Sequence, residues 1–266
     1  MDFAEFKKRV HQQFGLYLEG YKEPQLKRRI ESLMRTLQVK SYDEYWQVLV
    51  SAPDQWQKFV DKITINVSEF FRNPEVFQKL EEEVLPDLIK RKGALKIWSA
   101  GCADGPEPYS VAMILKEISP TLRHRIEATD VDEGALAAAK RGVYGSRAVQ
   151  SVSPERLKRY FRREGNVFIL SEEIKSMVIF RRHDLLNDPY GSNYDLILCR
   201  NVMIYFTAEV QDRLYRKFYQ ALNPGGVLLT GATENIFRYR EIGFVKLSTW
   251  FYGRPEEDCK WTRGEA

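Results

Sequence analysis

The segment 98–110, WSAGCADGPEPYS, combines glycines and an acid in a way that suits a nucleoside-type cofactor. Gly101 and Gly105 lie between a predicted buried strand and a predicted helix, and Glu107 follows them. The next predicted strand ends in Asp130, whose carboxylate can accept hydrogen bonds from both hydroxyls of a ribose. S-adenosylmethionine (SAM) carries a ribose and positively charged groups but no phosphate. The pattern therefore predicts a SAM site, with Glu107 facing a positive or hydrogen-bond-donating group.

The same turn lacks the fingerprints of phosphate-binding sites. Neither the G-x-G-x-x-G of dinucleotide sites nor the G-x-x-x-x-G-K-[ST] of P-loops is present, and Asp104 adds a second acid. A simpler alternative is that the glycines only form the turn and that Asp130 caps the following helix. Either motif alone leaves that alternative open, but their occurrence on consecutive strand ends favours the cofactor site.

A later strand ends in the segment 199–206, CRNVMIYF. Ligands of open α/β sheets bind at the carboxyl ends of the strands. Asn201 and Tyr205 would place an amide and a phenol at that edge. We expect Asn201 to line the site, and Tyr205 either to form a wall of it or to pack in the core.

The first 90 residues show only helical patterns. Asp2 is a candidate helix cap, Pro24 suits the first turn of a second helix, and Ser41 with Glu44 forms a capping box for a third. Pro53 begins a fourth helix, and Asn73-Pro74 opens a fifth. These elements predict a small helical bundle.

The second of these helices is predicted to have a basic face. Residues 21–40 contain six basic and two acidic residues, an excess equal to the net charge of +4 of the whole chain. Arg28, Arg29 and Arg35 fall opposite its apolar side. The face is either a contact for a negatively charged partner or an ordinary solvated surface.

From residue 95, strands and helices alternate, which predicts an α/β fold with a doubly wound parallel sheet. The last two predicted strands, GVLLTG and FVKLSTWFYG, lie close together and allow an antiparallel partner. Residues 143–183 interrupt the alternation. Here NVFIL and MVIFRRH are predicted to be short strands of a small antiparallel appendage.

The composition is that of a soluble globular protein, with 44% hydrophobic and 29% charged residues among 266. No apolar run is long enough to span a membrane, and the first residues do not form a signal peptide. The histidines and cysteines fit no catalytic, metal or disulfide pattern, so we expect structural histidines, reduced thiols, no metal and a cytoplasmic location. They are His11, His124 and His183, and Cys102, Cys199 and Cys259.

Six segments of the chain resemble the CheR-type chemotaxis-receptor glutamate O-methyltransferases. They read INVSEFFRNPEVF (65–77), WSAGCADGPEPYS (98–110), EATDVD (127–132), RYF (159–161), DLILCRNVMIYF (195–206) and LNPGGVLLTGATENI (222–236). The resemblance implies a helical receptor-recognition domain over 1–72. It also implies a Rossmann-like methyltransferase domain over 73–266, with a small antiparallel β-subdomain inserted at about 155–183.

The resemblance also implies site residues. Those for the cofactor would be Asn66, Ser68 and Arg72 from the interdomain segment, and Gly101, Glu107, Asp130, Asp184, Leu185, Asn201 and Val202 from the sheet edge. Arg29 and Arg35, joined by Arg28, would bind the acidic helical bundle of a chemotaxis receptor. The implied reaction is transfer of a methyl group from SAM to a glutamate carboxylate, with S-adenosylhomocysteine as the product.

The chain departs from the family pattern in two places. The glycine turn of the family more often reads GCATGEEPYS, so Asp104 and Pro106 replace a threonine and a glutamate while Glu107 is kept. The segment from Phe161 to Val178 is short and its loop, REGN, is compact, which favours a protein that does not bind a tethering peptide of the receptor. Nothing in the sequence requires more than a monomer.

The implied reaction assigns specific tasks to the chain. A glutamate side chain, with a pKa of about 4.3, is already an anionic nucleophile at neutral pH and needs no general base. Arg72 is then the candidate catalytic residue, orienting the carboxylate or the cofactor; the alternative is an interdomain ion pair. Tyr205 is a weaker candidate for the same site.

Three other functions are compatible with parts of the sequence. The basic segment also suits a nucleic-acid methyltransferase, but no RNA-binding module accompanies it. A non-catalytic SAM-binding scaffold would keep the same fold. A nicotinamide dehydrogenase is disfavoured by the glycine turn.

Overall fold

The computed structural model describes residues 1–64 and 68–256. Four helices form the first part of the chain: α1 (Phe3–Phe14), α2 (Glu23–Thr36), α3 (Tyr42–Ser51) and α4 (Pro53–Thr64). The predicted starts are confirmed where a cap defines them. Asp2 accepts a hydrogen bond from the Glu5 amide, and Ser41 accepts one from the Glu44 amide.

The four helices share one apolar core. It includes Phe6, Val10, Ile30, Phe59 and Ile63, all fully buried. Phe6 and Val10 in α1, and Phe59 and Ile63 in α4, are four residues apart, a spacing that places apolar side chains on one face of a helix.

A long helical segment connects the bundle to the sheet. It consists of α5 (Pro74–Lys79), one π-helical turn (Leu80–Val84) and α6 (Leu85–Lys92). Asn73, which precedes it, has a left-handed backbone and makes no side-chain cap. Its side-chain oxygen instead accepts a hydrogen bond from Arg200 at 2.9 Å, so the start of this helix is fixed by the site described below.

The remaining elements build two sheets. In chain order they are β1 (Lys96–Ala100), α7 (Pro106–Ile118), β2 (Arg125–Asp130), α8 (Glu133–Arg141), β3 (Val143–Gly145), α9 (Pro154–Tyr160), β4 (Phe161–Glu164), β5 (Val167–Leu170), α10 (Glu172–Lys175), β6 (Val178–Arg182), β7 (Tyr194–Cys199), a 3₁₀ turn (Met203–Tyr205), α11 (Ala208–Ala221), β8 (Leu222–Thr230), α12 (Tyr239–Ile242), β9 (Val245–Lys246) and β10 (Phe251–Gly253).

The main sheet has seven strands in the order β6-β2-β1-β7-β8-β10-β9. Strands β6, β2, β1, β7 and β8 are parallel to their neighbours, and β10 pairs antiparallel with both β8 and β9. This confirms the doubly wound parallel sheet. The last predicted strand is in fact two, because β9 and β10 form a hairpin.

The small sheet has the order β3-β5-β4 and is antiparallel. The prediction that MVIFRRH belongs to this appendage, and that the insertion extends to residue 183, is wrong. Strand β6 pairs in parallel with β2, from Val178 opposite Ile126 to Arg182 opposite Asp130. A short apolar run between turns does not reveal which sheet it joins, because that depends on a distant strand.

Among the residues described, none of the helices has both the length and the apolar character that crossing a membrane requires.

Candidate active site

A cavity of 390 Å³ lies where the helical bundle meets the carboxyl ends of the parallel strands, and we call it the interdomain cavity. It contains nearly all of the predicted cofactor residues. Those from the interdomain segment are Ser68 and Arg72; those from the sheet edge are Gly101, Glu107, Asp130, Asp184, Leu185, Asn201 and Val202. Tyr205 lines it as well. The remaining predicted residue, Asn66, lies outside the described residues.

The glycine turn is shaped by a close approach of two strand ends. Gly101 has a φ of 80°, a left-handed conformation that favours glycine, and a Cβ atom at this position would clash with the side chain of Val202. The turn after β1 and the turn after β7 are therefore in contact at the cavity wall. Glycine is required here for this contact as well as for the turn itself.

Asp130 holds the glycine turn from the end of β2. One carboxylate oxygen accepts a hydrogen bond from the Ala103 amide at 2.8 Å, and the other accepts one from the Asp132 amide at 3.0 Å. The cap of α8 is Asp132, which accepts from the Ala135 amide, so the alternative role for Asp130 is wrong. Burial raises the pKa of Asp130. Each oxygen keeps a lone pair for a ligand hydroxyl.

Asp184 supplies a second carboxylate to the cavity. Its Oδ1 accepts a hydrogen bond from the Leu186 amide at 2.9 Å. Its Oδ2 is buried and has no hydrogen-bond partner among the residues that the structure describes. Burial raises the pKa of this group. The backbone N–H of Tyr17 also acts on this carboxylate, and Asp184 lines the cavity, so its carboxylate is a candidate acceptor for a ligand donor.

Glu107 lies at the floor of the cavity between two partners. Its Oε1 accepts a hydrogen bond from the Ser99 hydroxyl at 2.7 Å, and its Oε2 is 3.4 Å from Nη1 of Arg200. Burial raises the pKa of Glu107, although the Arg200 guanidinium acts in the opposite direction. The predicted acid is therefore in the site, but it is paired.

Arg200 is a residue that the sequence did not single out. Its side chain is 2% exposed, and Nη2 donates to the backbone oxygen of Arg72 at 2.8 Å and to the side chain of Asn73. Arg72 is close enough to act on the charges of both Glu107 and Arg200. The guanidinium groups of Arg72 and Arg200 thus both lie near Glu107 at this end of the cavity, where guanidinium groups can donate charge-assisted hydrogen bonds to an anionic ligand group.

A buried glutamate fixes the backbone after β7. Both oxygens of Glu234 are used: Oε2 accepts from the amides of Asn201 at 2.8 Å and Gly231 at 2.7 Å, and Oε1 accepts from the Ile204 amide at 3.3 Å. This network holds Asn201 in a left-handed conformation with a φ of 60°. Left-handed non-glycine residues are uncommon and cluster at functional sites.

The helical bundle is hydrogen-bonded to this same segment. The Lys22 amide donates to the Tyr205 oxygen at 2.9 Å, and the Thr207 amide donates to the Gly20 oxygen at 3.1 Å. Tyr21, between them, lines the cavity and contacts the ring of Phe206. Helix α2 begins directly afterwards, so the basic helix is anchored beside the cavity.

The three predicted basic residues of α2 have different environments. Arg28 and Arg35 are exposed, as expected. Arg29 is half-buried: it donates to the Ile63 oxygen at 2.8 Å, and its guanidinium lies 4.8 Å from the centre of the Tyr205 ring. The expectation of an exposed Arg29 is wrong, because helical periodicity identifies an apolar face and does not reveal polar contacts, here with Ile63 of α4 and with Tyr205 of the second domain.

The histidines also have different environments. His124 is structural, since its ring nitrogens contact the Leu95 amide and the Ser119 hydroxyl. His183 lines the interdomain cavity and packs against Trp98, with a pKa lowered by burial. Over the described ranges, no group of three or more His, Cys, Asp or Glu is arranged to hold a metal ion.

These features fit SAM. The cavity volume is within the range of small-molecule sites. Asp130 and Asp184 offer acceptors for ribose hydroxyls, and Arg72 offers donors for a carboxylate of the cofactor or of a substrate. Fold and site together define an α/β protein with a nucleoside-type cofactor cavity below a helical domain.

The chain belongs to the CheR methyltransferase family. The SAM-binding domain of CheR methyltransferases matches residues 66–250, and their all-alpha domain matches residues 1–64. The fold is therefore the Rossmann-like fold of SAM-dependent methyltransferases with an all-helical N-terminal domain. The two matches divide the chain near residue 65, a few residues before the boundary expected at 72.

Curated relatives cover most of the chain. A chemotaxis protein methyltransferase of Listeria monocytogenes is 39% identical over 94% of this chain and 96% of its own length. Chemotaxis protein methyltransferase 1 of Pseudomonas aeruginosa is 37% identical over 88% of this chain and 89% of its own. Among solved structures, the N-methyltransferase NodS of Bradyrhizobium japonicum is 18% identical over 70% of this chain and 100% of its own, with a TM-score of 0.39, which is too distant to bear on function.

Proposed function

We propose that this protein methylates glutamate side chains in the cytoplasmic helical bundle of chemotaxis receptors, forming the methyl esters used in sensory adaptation. The observation that carries the proposal is the interdomain cavity, in which Asp130, Asp184 and Arg72 lie directly beside a helix with exposed arginines. The names of the curated relatives agree with it.

The residues of the sheet edge have the task of binding. Asp130 and Asp184 accept hydrogen bonds from the ribose hydroxyls, and the glycine turn admits the cofactor close to the backbone. Glu107, Asn201, Leu185 and Val202 form the surrounding wall. When bound, SAM supplies the methyl group as an electrophile on a sulfonium centre.

The residues of the interdomain segment have the task of positioning the acceptor. The glutamate carboxylate of the receptor is anionic at neutral pH, so the chain needs no general base for it. Arg72 orients this carboxylate by charge-assisted hydrogen bonds, and Tyr205 walls the approach. Packing of the receptor over the cavity excludes water and aligns the glutamate oxygen with the methyl group of SAM. This alignment provides most of the rate enhancement.

Helix α2 binds the receptor surface. The side chains of Arg28 and Arg35 are exposed, so they can form salt-sensitive contacts with glutamates of the receptor. Arg29 supports them from a half-buried position against Tyr205. The turn between β4 and β5 is tight, with Gly165 at a φ of 56°, and we infer that no tethering peptide is needed.

The test uses SAM labelled in its methyl group, the purified protein and a receptor cytoplasmic fragment. The labelled product is treated with mild alkali, and volatile methanol is collected. Label that leaves the receptor as methanol is expected, because methyl esters hydrolyse under these conditions. Alkali-stable label would overturn the glutamate assignment, and SAM binding without any transfer would favour a scaffold.

A further inference from the structure

The main sheet has a partly open face, distinct from the interdomain cavity. Helices α7 and α8 pack against β2 and β6 on one face, where Tyr109 contacts Phe180. On the other face, α11 reaches Trp98 through Phe218, and the loop after β6 reaches it through Tyr190. Beyond Trp98, this face of β6 is open to solvent at Ile179, which is 48% exposed, whereas in β2 only Arg125 is exposed. Parallel sheets are normally covered on both faces.

This open face carries a basic groove of 410 Å³, lined by Lys96, Arg125, Arg181 and Arg182. The four cations come from three neighbouring strands, β1, β2 and β6. Register brings Lys96, Arg125 and Arg181 to one face, since Lys96 is opposite Arg125 and Thr129 is opposite Arg181, and Arg182 joins them at the carboxyl end of β6. No stretch of the sequence reveals the cluster, because its members are far apart along the chain.

One buried acid organises the arginines of the groove. Glu127 has a side chain that is 3% exposed; its Oε1 lies 2.9 Å from Nε of Arg125, and its Oε2 pairs with Arg181. The Tyr194 hydroxyl also donates to Oε2, at 2.8 Å. The two arginine side chains remain 59% and 54% exposed. Their outer N–H groups are held in place and point toward solvent, which leaves the groove with a net positive charge.

The basic groove adjoins the interdomain cavity. His183 lines both spaces. Arg182 reaches the helical bundle, with Nη2 at 3.5 Å from the Gly15 oxygen. A polypeptide that enters the interdomain cavity can therefore continue over the groove.

We propose that the basic groove is a second docking surface for the methyl-accepting protein, and that it holds an acidic stretch of that protein away from the methylated residue. The proposal rests on the proposed function. Its chemistry is charge complementarity, because arginine N–H groups held by Glu127 match the geometry of carboxylates. Small anions usually bind in enclosed sites that surround them. The groove is open and its arginines are half-exposed, so it suits a polypeptide segment better.

Ile179 allows a test that removes no hydrogen bond, ion pair or charge of the groove. It lies on the same face as Arg181, two residues away along β6 and opposite Glu127. Glutamate and glutamine at this position have nearly the same shape and differ in charge, so Ile179→Gln is the matched control for Ile179→Glu. Ile179→Lys adds a charge of the opposite sign.

The measurement is the steady-state methylation of a receptor cytoplasmic fragment, together with the Kd for SAM. We expect Ile179→Glu to raise the KM for the fragment about threefold to tenfold at low salt, and Ile179→Lys to lower it. The Ile179→Gln value should be within about twofold of the wild type, the kcat and the SAM affinity should not change, and the differences should fade in high salt.

Several outcomes overturn the proposal. Equal KM values for the glutamate and glutamine variants would exclude a charge-dependent contact. A single-stranded RNA whose binding falls in Ile179→Glu, with no change in the KM for the fragment, would assign the groove to nucleic acid. A wild-type protein that methylates no receptor fragment would refute the proposed function as well. Normal methylation by the wild type, with the same KM for the fragment in all three Ile179 variants, would refute only the proposed role of the groove.

Discussion

The guanidinium of Arg200 lies 3.4 Å from the carboxylate of Glu107 at the floor of the interdomain cavity. Burial lowers the pKa of Arg200, and Glu107 acts in the opposite direction. The pair links the helix start at Asn73 to the first turn of α7, because Arg200 also donates to the Asn73 side chain. The floor of the cavity is therefore a polar connection between distant parts of the chain.

Replacing Arg200 should destabilise the protein strongly. In Arg200→Met, Glu107 stays buried without its ionic partner, and we expect a loss of about 3 kcal/mol in the free energy of unfolding. The double variant Arg200→Met with Glu107→Gln should regain part of it. Urea unfolding of both variants without SAM provides the measurement. An Arg200→Met protein as stable as the wild type would contradict this account.

Asp184 offers a clean test of cofactor binding. Among the described residues the Leu186 amide bonds to Oδ1, and the Tyr17 backbone acts on the same carboxylate to a smaller extent, so Asp184→Asn can keep the bond to Leu186 and lose one acceptor. We expect the Kd for SAM to rise about tenfold to a hundredfold with little loss of stability. Titration calorimetry measures this, and unchanged affinity would exclude Asp184 from the site.

Asp130 should behave differently under the same substitution. Both of its oxygens accept from backbone amides, so the NH₂ group of an asparagine would face a donor. Asp130→Asn is expected to lose both SAM affinity and a few degrees of Tm in the absence of cofactor. If the Tm of Asp130→Asn equals that of Asp184→Asn, the two hydrogen bonds from Ala103 and Asp132 to Asp130 are not needed to hold the glycine turn.

Arg72 is predicted to act in transfer rather than in folding. Its charge reaches Glu107 and Arg200 at the cavity, and α5 begins two residues later. Arg72→Ala should reduce kcat at least about a hundredfold while Tm remains near that of the wild type. Arg72→Lys, which keeps the charge but not the bidentate geometry, is the control. Near-normal turnover of Arg72→Ala would refute the role.

The arginines of α2 should separate into two kinds of effect. Arg35→Glu, at an exposed position, is expected to raise the KM for the receptor fragment with a strong dependence on salt. Arg29→Met removes the bond to the Ile63 oxygen and the contact with Tyr205, so it should lower Tm and also weaken SAM binding. Identical, purely salt-dependent effects at both positions would contradict the structural role of Arg29.

Asp104 predicts a pH dependence of stability. Burial raises its pKa from 3.8 to about 6 in the folded protein. The folded state therefore favours the protonated form, and the stabilisation present below pH 3.8 is lost as the pH rises to about 6. Asp104→Asn should be more stable than the wild type by about 1–3 kcal/mol at pH 7.5, with the difference vanishing near pH 4. If the difference in the free energy of unfolding between Asp104→Asn and the wild type stays constant across this pH range, titration of Asp104 is not its cause.

The sequence predicted the elements whose signals are local. Caps, apolar periodicity and the glycine turn identified the helices, the parallel strands and the position of Asp130. Arg200 was missed because a charged residue after a strand resembles an exposed one, and its partners lie more than ninety residues away. The parallel pairing of β6 and the half-burial of Arg29 were missed for the same reason: each depends on a contact between distant segments.

The carboxylate of Glu234 binds backbone amides and not side chains. The main chain at residues 201, 204 and 231 is held in this way, but the three positions differ in what they admit. A Cβ atom at Gly231 would clash with the Glu234 carboxylate, and the left-handed backbone of Asn201 restricts the residue types at that position. Ile204, which lines the cavity, carries neither restriction, so evolution can alter the chemistry of the cavity wall there while Glu234 keeps the path of the chain.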